Sequence, residues 1–226
     1  MTRATIAVIG GTGPQGRGLG YRWARHGHPV VIGSRSVARA EETAESIIRR
    51  EPDGKVEAAD NAAAAAMADV VVVAVPYDGH AGLVEQLADS LAGKVVVSCV
   101  NPLGFDATGP YGLVVAAGSA AEELAALAPK ARVVGAFHHV SAPTLWRHGD
   151  QPHDEDVLVC GDDPDAKQVV IGLARAVTGR DGVDAGALRL ARHLEPMAAV
   201  LVSINRRYQV RSGLLVSGLP EVPHPG

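Results

Sequence analysis

Several stretches of the chain are apolar without interruption: TIAVIG at 5–10, PVVIGS at 29–34, DVVVVAVP at 69–76, KVVVSCVNP at 94–102 and ARVVGAFHH at 131–139. A strand that shows one face to water alternates apolar and polar residues, whereas a strand covered by helices on both faces does not. These runs therefore predict strands of a buried, parallel sheet. Between them the pattern changes to helical period. One helix is predicted over 15–26, with Gly27 placed to end it in the left-handed conformation, and a second over 36–50, with Ser36 as its N-cap. The alanine run NAAAAAMAD at 61–69 predicts a short helix, and further helices are expected at 79–91, 120–127 and 165–178. Near the end, Leu190, Leu194, Met197, Leu201 and Ile204 fall on one helical stripe, which predicts core packing or a subunit contact. The charged stretch HGDQPHDED at 148–156 is the expected long loop, and the three prolines of GLPEVPHPG at 218–226 predict an unordered end. Strands alternating with helices define an α/β architecture.

Composition narrows the partners. The 226 residues are 47% hydrophobic and 20% charged, an ordinary globular balance, with a net charge of −4. That charge leaves no basic face for a phosphate backbone, so no nucleic acid is expected. No apolar stretch approaches the roughly 20 residues of a membrane span, and the first residues read as a strand instead of a leader, so no membrane contact and a cytoplasmic location are expected. Cys99 and Cys160 both sit in strand-like runs, which suits buried, reduced thiols.

The chemistry begins after the first predicted strand, at GGTGPQG, Gly10 to Gly16. Gly11-Thr12-Gly13-Pro14-Gln15-Gly16 matches G-x-G-x-x-G between a strand and a helix. In that setting the first glycine makes the tight turn, the second lets the backbone approach a pyrophosphate, and the third allows close helix packing, while the helix N-terminus offers free N–H groups to the phosphates. A unit of this kind that binds NAD carries Asp or Glu at the end of its second strand, for the ribose hydroxyls. Here that position reads VIGSRSVARA and holds no acid. Ser34 and Arg35 stand where a 2′-phosphate would lie, Arg39 follows one helical turn later, and Thr12 can add its hydroxyl, so NADP(H) is the expected coenzyme. The fold class follows: a Rossmann-type, doubly wound parallel sheet with a small C-terminal extension. Residues 1–150 are expected to form the NADP-binding domain, and residues 151–226 a smaller α/β region packed on it.

Ligands of open parallel sheets bind beyond the carboxyl ends of the strands. VPYDGH, CVNPLG and FHHVSAP leave those ends, and their small side chains suit stacked planar rings. His138, His139, His148 and His153 lie near Asp150, Asp154 and Asp156, but their spacing fits no ligand motif and no metal is expected. His138 is the one placed to donate to a coenzyme; surface roles are expected for the other three. DDPD at 162–165 reads as helix capping and dipole chemistry.

GGTGPQG, the GSR after the second strand, VPYDGH, GAFHHVSA and VCGDD occur in an order that resembles the NADPH-dependent reductases of coenzyme F420, a deazaflavin. The resemblance spans nearly the whole chain. It implies hydride exchange between nicotinamide C4 and deazaflavin C5, in a homodimer, with no nucleophile or dedicated acid. It further implies that Thr12, Ser34, Arg35 and Arg39 hold the 2′-phosphate, that Pro76, Asn101 and Pro102 border the nicotinamide, and that His138, Val140 and Ala142 line the deazaflavin site. The C-terminal region would help form that site and the dimer. Two other readings keep the glycine turn: an NADPH-dependent reductase of another acceptor, such as a flavin, a ferric chelate or an organic substrate, and an NADP-sensing protein without turnover. A sensor would be expected to fill the strand-end loops with large side chains, and these loops are rich in Gly, Ala and Ser.

Overall fold

The computed structural model describes residues 3–147 and 154–219. The predicted loop at 148–156 lies outside them at residues 148–153, and so does the predicted unordered end from residue 220 onward. The chain alternates from the start: β1 (Ile6–Ile9), α1 (Pro14–Arg25), β2 (Val30–Ser34), α2 (Val37–Ile48), β3 (Val56–Asp60), α3 (Asn61–Met67), β4 (Val70–Val73), α4 (His80–Leu91) and β5 (Val95–Ser98). A two-stranded hairpin, β6 (Leu103–Asp106) and β7 (Gly109–Gly112), precedes α5 (Ala120–Leu127) and β8 (Arg132–Gly135). The remainder is α6 (Ala142–Arg147), β9 (Leu158–Gly161), α7 (Pro164–Thr178), β10 (Val183–Gly186), a 3-10 turn at Leu188–Leu190 and α8 (Ala191–Tyr208).

The main sheet has the order β10-β9-β8-β5-β4-β1-β2-β3. Its pairs are parallel except β8 with β9, which is antiparallel. The chain winds from β1 outward to β3, then returns to β4 and winds the other way through β5 and β8. The reversal between β1 and β4 is the switch point at which such sheets open a crevice. Residues beyond 150 add two strands to this same sheet instead of forming a separate one.

The unbroken apolar runs have a direct cause. Side chains alternate across a strand, so Ile6, Val8, Val70, Val72, Val95 and Val97 pack on one face with Leu19, Tyr21 and Trp23 of α1 and with α2, α6 and α7. Ala7, Ile9, Val71, Val73 and Val96 pack on the other face under α3, α4 and α5, joined there by Leu188 and Ala191. Ser36 caps α2 as predicted, accepting from the Arg39 N–H at 3.5 Å. Asp163 caps α7 by accepting from Ala166 N–H at 2.8 Å, while Asp162 accepts from Leu188 N–H at 3.0 Å.

α8 keeps part of its predicted stripe, with Leu201 buried and Leu190 and Leu194 packed on the core, but its most buried face is a different one. Its buried positions are Ala191, Glu195, Ala198, Ala199 and Leu201, while Met197 is 37% exposed. Small alanines let the helix backbone approach its neighbours, and the carboxylate of Glu195 replaces an apolar contact. Its two oxygens accept the free N–H groups of Ala120 and Ala121 at the start of α5, at 2.8 and 3.0 Å. Burial pushes this carboxyl up to about 7, against the pull of those two bonds.

Candidate functional site

A cleft of about 940 Å³ opens above the carboxyl ends of β1 to β4. Gly10, Thr12 and Gly13 form its floor, Ser34, Arg35 and Arg39 one wall, and Pro76, Gly79 and Gly82 part of the other. The glycines around the first turn have separate physical roles. Gly10 has φ +73°, and a Cβ there would stand 2.6 Å from a methyl of Val75. Gly11 donates its N–H toward Val8 O and Gly33 O, and a Cβ on it would meet Val8 O at 2.8 Å. A Cβ on Gly16 would meet Gly11 Cα at 2.8 Å, so the start of α1 lies against the turn. Gly13 differs: a Cβ there would touch only Gly10 O, at 3.5 Å, and no φ constraint applies. Among the described residues nothing crowds a Cβ at residue 13, so the space above its backbone is open.

The far wall carries charge. Ser34 is 7% exposed and its hydroxyl accepts from Ser36 N–H at 3.2 Å. Arg35 and Arg39 are exposed, and neither guanidinium meets a carboxylate among the described residues. The first turn of α2 holds no acidic side chain. The result is a positive corner at a helix N-terminus, suited to a dianion, with the carboxylates of Asp60 and Asp78 elsewhere in the cleft lining. Asp60, Asn61, Asp78, Leu83, Gln86 and Leu87 also line it and were not singled out from sequence, as does the N-cap Ser36. Asn61 is 8% exposed and its Oδ1 has no partner among the described residues. Its place depends on β3, a half-exposed edge strand with the sequence VEAAD that no apolar run announces.

The other expected residues gather at the ends of β5 and β8, outside that lining. Asn101 Nδ2 donates to His138 O at 2.7 Å, and Gln15 Nε2 donates to Phe137 O at 3.1 Å. Pro102 and Val140 are buried, and Ala142 is half-buried at the start of α6. His138 is 3% exposed, and its ring faces the Val100 backbone without a well-formed hydrogen bond at either nitrogen. Its Nε2 lies 3.2 Å from where a Cβ on Gly135 would stand. Burial, followed by the neighbouring His139, lowers its pKa to about 3, so the imidazole is neutral in ordinary solution. His139 does not take the surface role expected of it: it is 5% exposed, and its Nε2 bonds to Asp156 O at 2.6 Å. His148 and His153 lie outside the described residues. Both cysteines are buried, and desolvation pushes each thiol up to about 12, which makes them inert as nucleophiles.

The VPYDGH segment is fixed from beneath by a contact with no sequence signal. His80, wholly buried, stacks on Tyr77 with ring centres 6.0 Å apart and places Nδ1 3.4 Å from Glu123 of α5. Burial lowers the His80 pKa, and the Glu123 carboxylate opposes that shift.

A switch-point cleft, a glycine turn feeding a helix and a positive corner after β2 define a Rossmann-type dinucleotide-binding protein. Comparison with known proteins narrows this class. A sequence profile of the family described as NADP oxidoreductase coenzyme F420-dependent matches residues 5–102, from β1 through Asn101 and Pro102. The chain is 36% identical over 222 residues to the F420-dependent NADP reductase of Methanocaldococcus jannaschii, covering 95% of this chain and 98% of that protein. It is 37% identical over 223 residues to that of Methanothermobacter thermautotrophicus, covering 96% of each. It also superposes with a TM-score of 0.79 and 30% identity on the crystal structure of a protein of Arthrobacter sp. FB24 described as an F420-dependent NADP-reductase, covering 94% of this chain and 99% of that one. The chain belongs to the F420-dependent NADP reductase family.

Proposed function

We propose that this protein is an oxidoreductase that moves a hydride between nicotinamide C4 of NADP(H) and the deazaflavin C5 of coenzyme F420. The observation that carries this reading is the cleft itself. One end is a positive corner at which Arg35 and Arg39 meet no carboxylate among the described residues, and its floor is a turn with open space above Gly13. These features occur in a chain that matches F420-dependent NADP reductases over nearly their full length.

When bound, the two coenzymes supply the hydride donor and acceptor. The protein's own work is binding, orientation and exclusion of water. Arg35, Arg39, Ser34 and Thr12 take the 2′-phosphate, and the α1 N-terminus with Gly13 takes the pyrophosphate. Pro76, Asn101 and Pro102 set one wall for the nicotinamide; His138, Val140 and Ala142 belong to the deazaflavin side. Neutral His138 adds no charge near the ring. Residues 151–226 serve as an extension of the first domain that completes the second coenzyme site and the subunit contact.

The protein acts as a homodimer in the cytoplasm in this reading. Val114, 98% exposed, stands beside the β6–β7 hairpin with exposed Phe105 and Tyr111, and α8 exposes Val200 at 51%; these apolar surfaces suit a second copy. No helix among the described residues is long and apolar enough to cross a membrane. Light scattering of the purified protein is expected to give twice the chain mass; the mass of one chain would remove the dimer.

The function is tested by mixing the protein with NADPH and oxidised F420. Loss of the deazaflavin's visible absorbance is expected. NADPH oxidation with free flavin or a ferric chelate, but not with F420, would transfer the reading to another acceptor, and NADPH binding without any oxidation would make the protein a sensor.

A further inference from the structure

Phe137 has φ +63°, in the left-handed region that a bulky residue rarely adopts, and it is one of two non-glycine residues with positive φ among those described. It lies immediately before His138 and is wholly buried, its ring packed edge-on against Trp23 at 5.7 Å. The last ladder bond of β8 is made by Ala136 N–H to Ser98 O, at 3.1 Å. Beyond it, two consecutive carbonyls are taken by side-chain amides from other parts of the chain: Phe137 O by Gln15 of α1 and His138 O by Asn101. The segment then re-enters regular structure where Ser141 O accepts from Thr144 and Leu145, both at 3.0 Å. A strained peptide persists only where its surroundings over-determine it, and here the surroundings are the buried ring on one side and the two amides on the other.

Gln15 is the second residue of α1 and stands between Gly13 and Gly16. The bond it makes spans 122 residues of sequence and joins the glycine turn directly to the loop after β8. We infer that Gln15 is a positioning residue for hydride transfer: its amide holds the left-handed Phe137 peptide and thereby sets the deazaflavin-side loop relative to the NADP(H) turn. The inference rests on the function proposed above. On this view Gln15 commits an amide N–H internally, and with the Trp23 ring, also on α1, it keeps the spacing of the two halves of the site.

The test uses Gln15→Leu, which keeps the bulk and removes the donor, and Gln15→Glu, which sets a carboxylate oxygen against the Phe137 carbonyl. With NADPH and F420, both variants are expected to lose about tenfold to a hundredfold in kcat/KM for F420. NADPH affinity, read by fluorescence titration without F420, should stay within about threefold, because the phosphate contacts are untouched. Unchanged F420 kinetics would overturn the inference, and so would a loss of NADPH affinity as large as the kinetic loss. A second readout is independent of turnover: a crystal structure of Gln15→Leu should show the Phe137 peptide rotated out of positive φ. Retention of the left-handed peptide without Gln15 would overturn the inference even if the wild-type protein proved inactive with F420. Wild-type inactivity would by itself count against the proposed function instead.

Discussion

The two ends of the site are built differently. The turn and the positive corner come from one continuous βαβ unit: Gly10 to Gly16, Ser34, Arg35 and Arg39 all precede β3, and each glycine's role is set by atoms within that unit or in the adjoining β4. The rim at β5 and β8 is assembled from distant parts, with Gln15 bonded to Phe137 and Asn101 to His138 across 122 and 37 residues. The first end is fixed by local sterics and charge. The second depends on the whole sheet being in register before its hydrogen bonds can form. Binding of the nucleotide should therefore tolerate changes at the rim, while chemistry should not.

The comparison can be broken most severely at the turn. Gly16→Val sets side-chain atoms against Gly11 Cα, backbone that cannot yield, and is expected to cost about 3 kcal/mol of stability in urea denaturation. Gly13→Ala is its control: the added methyl fits the protein, so the melting temperature should hold while NADPH affinity falls by about tenfold or more through the lost close approach. Wild-type NADPH affinity in Gly13→Ala would show that no phosphate lies there. Next in size, Arg35→Ala should weaken NADPH by about tenfold to a hundredfold, the worth of a hydrogen bond to a charged group, and leave NADH unchanged. Equal loss for both nucleotides would remove the residue from the 2′-phosphate.

A further, pH-dependent effect lies away from both ends, in the tie between α8 and α5. Glu195 has its pKa raised by burial from the ordinary 4.5 to about 7. A carboxyl raised on folding contributes stability that is complete below the unfolded pKa and is lost as pH climbs through the folded one. The ionised carboxylate should thus cost on the order of 3 kcal/mol above neutrality. Glu195→Gln carries no titrating group, so the stability difference between the two proteins should move toward the variant as pH rises from about 4.5 to about 8. Urea midpoints collected across that range check this; a difference independent of pH would mean that the buried carboxyl does not titrate as described.

The turn and the positive corner that line the cleft were legible in the sequence because their signals are local. A glycine spaced from a strand, a missing acid and two arginines one turn apart can be read without knowing what packs on them. The sheet was equally readable, since strands covered on both faces must be apolar at every position. β3 was not, because an edge strand with Glu57 turned to water has no such run. The stripe on α8 was legible at Leu194 and Leu201 but not at Glu195: periodicity ranks Met197 above it, while the free N–H groups of α5 make the buried position a polar one. His139 could not be told from a surface histidine, because its partner is a backbone carbonyl 17 residues away. Phe137 gave no sign of its positive φ, which is held by tertiary contacts: the packed ring and two side-chain amides.

The central claim is direct hydride passage between two coenzymes aligned by this cleft. NADPH carrying deuterium at C4, incubated with the protein and oxidised F420, tests it with mass spectrometry of the products. The account predicts that the label from one face of the nicotinamide arrives at C5 of the reduced deazaflavin. Deuterium retained on the nicotinamide from both labelled faces, or released to solvent while F420 stays oxidised, would contradict it.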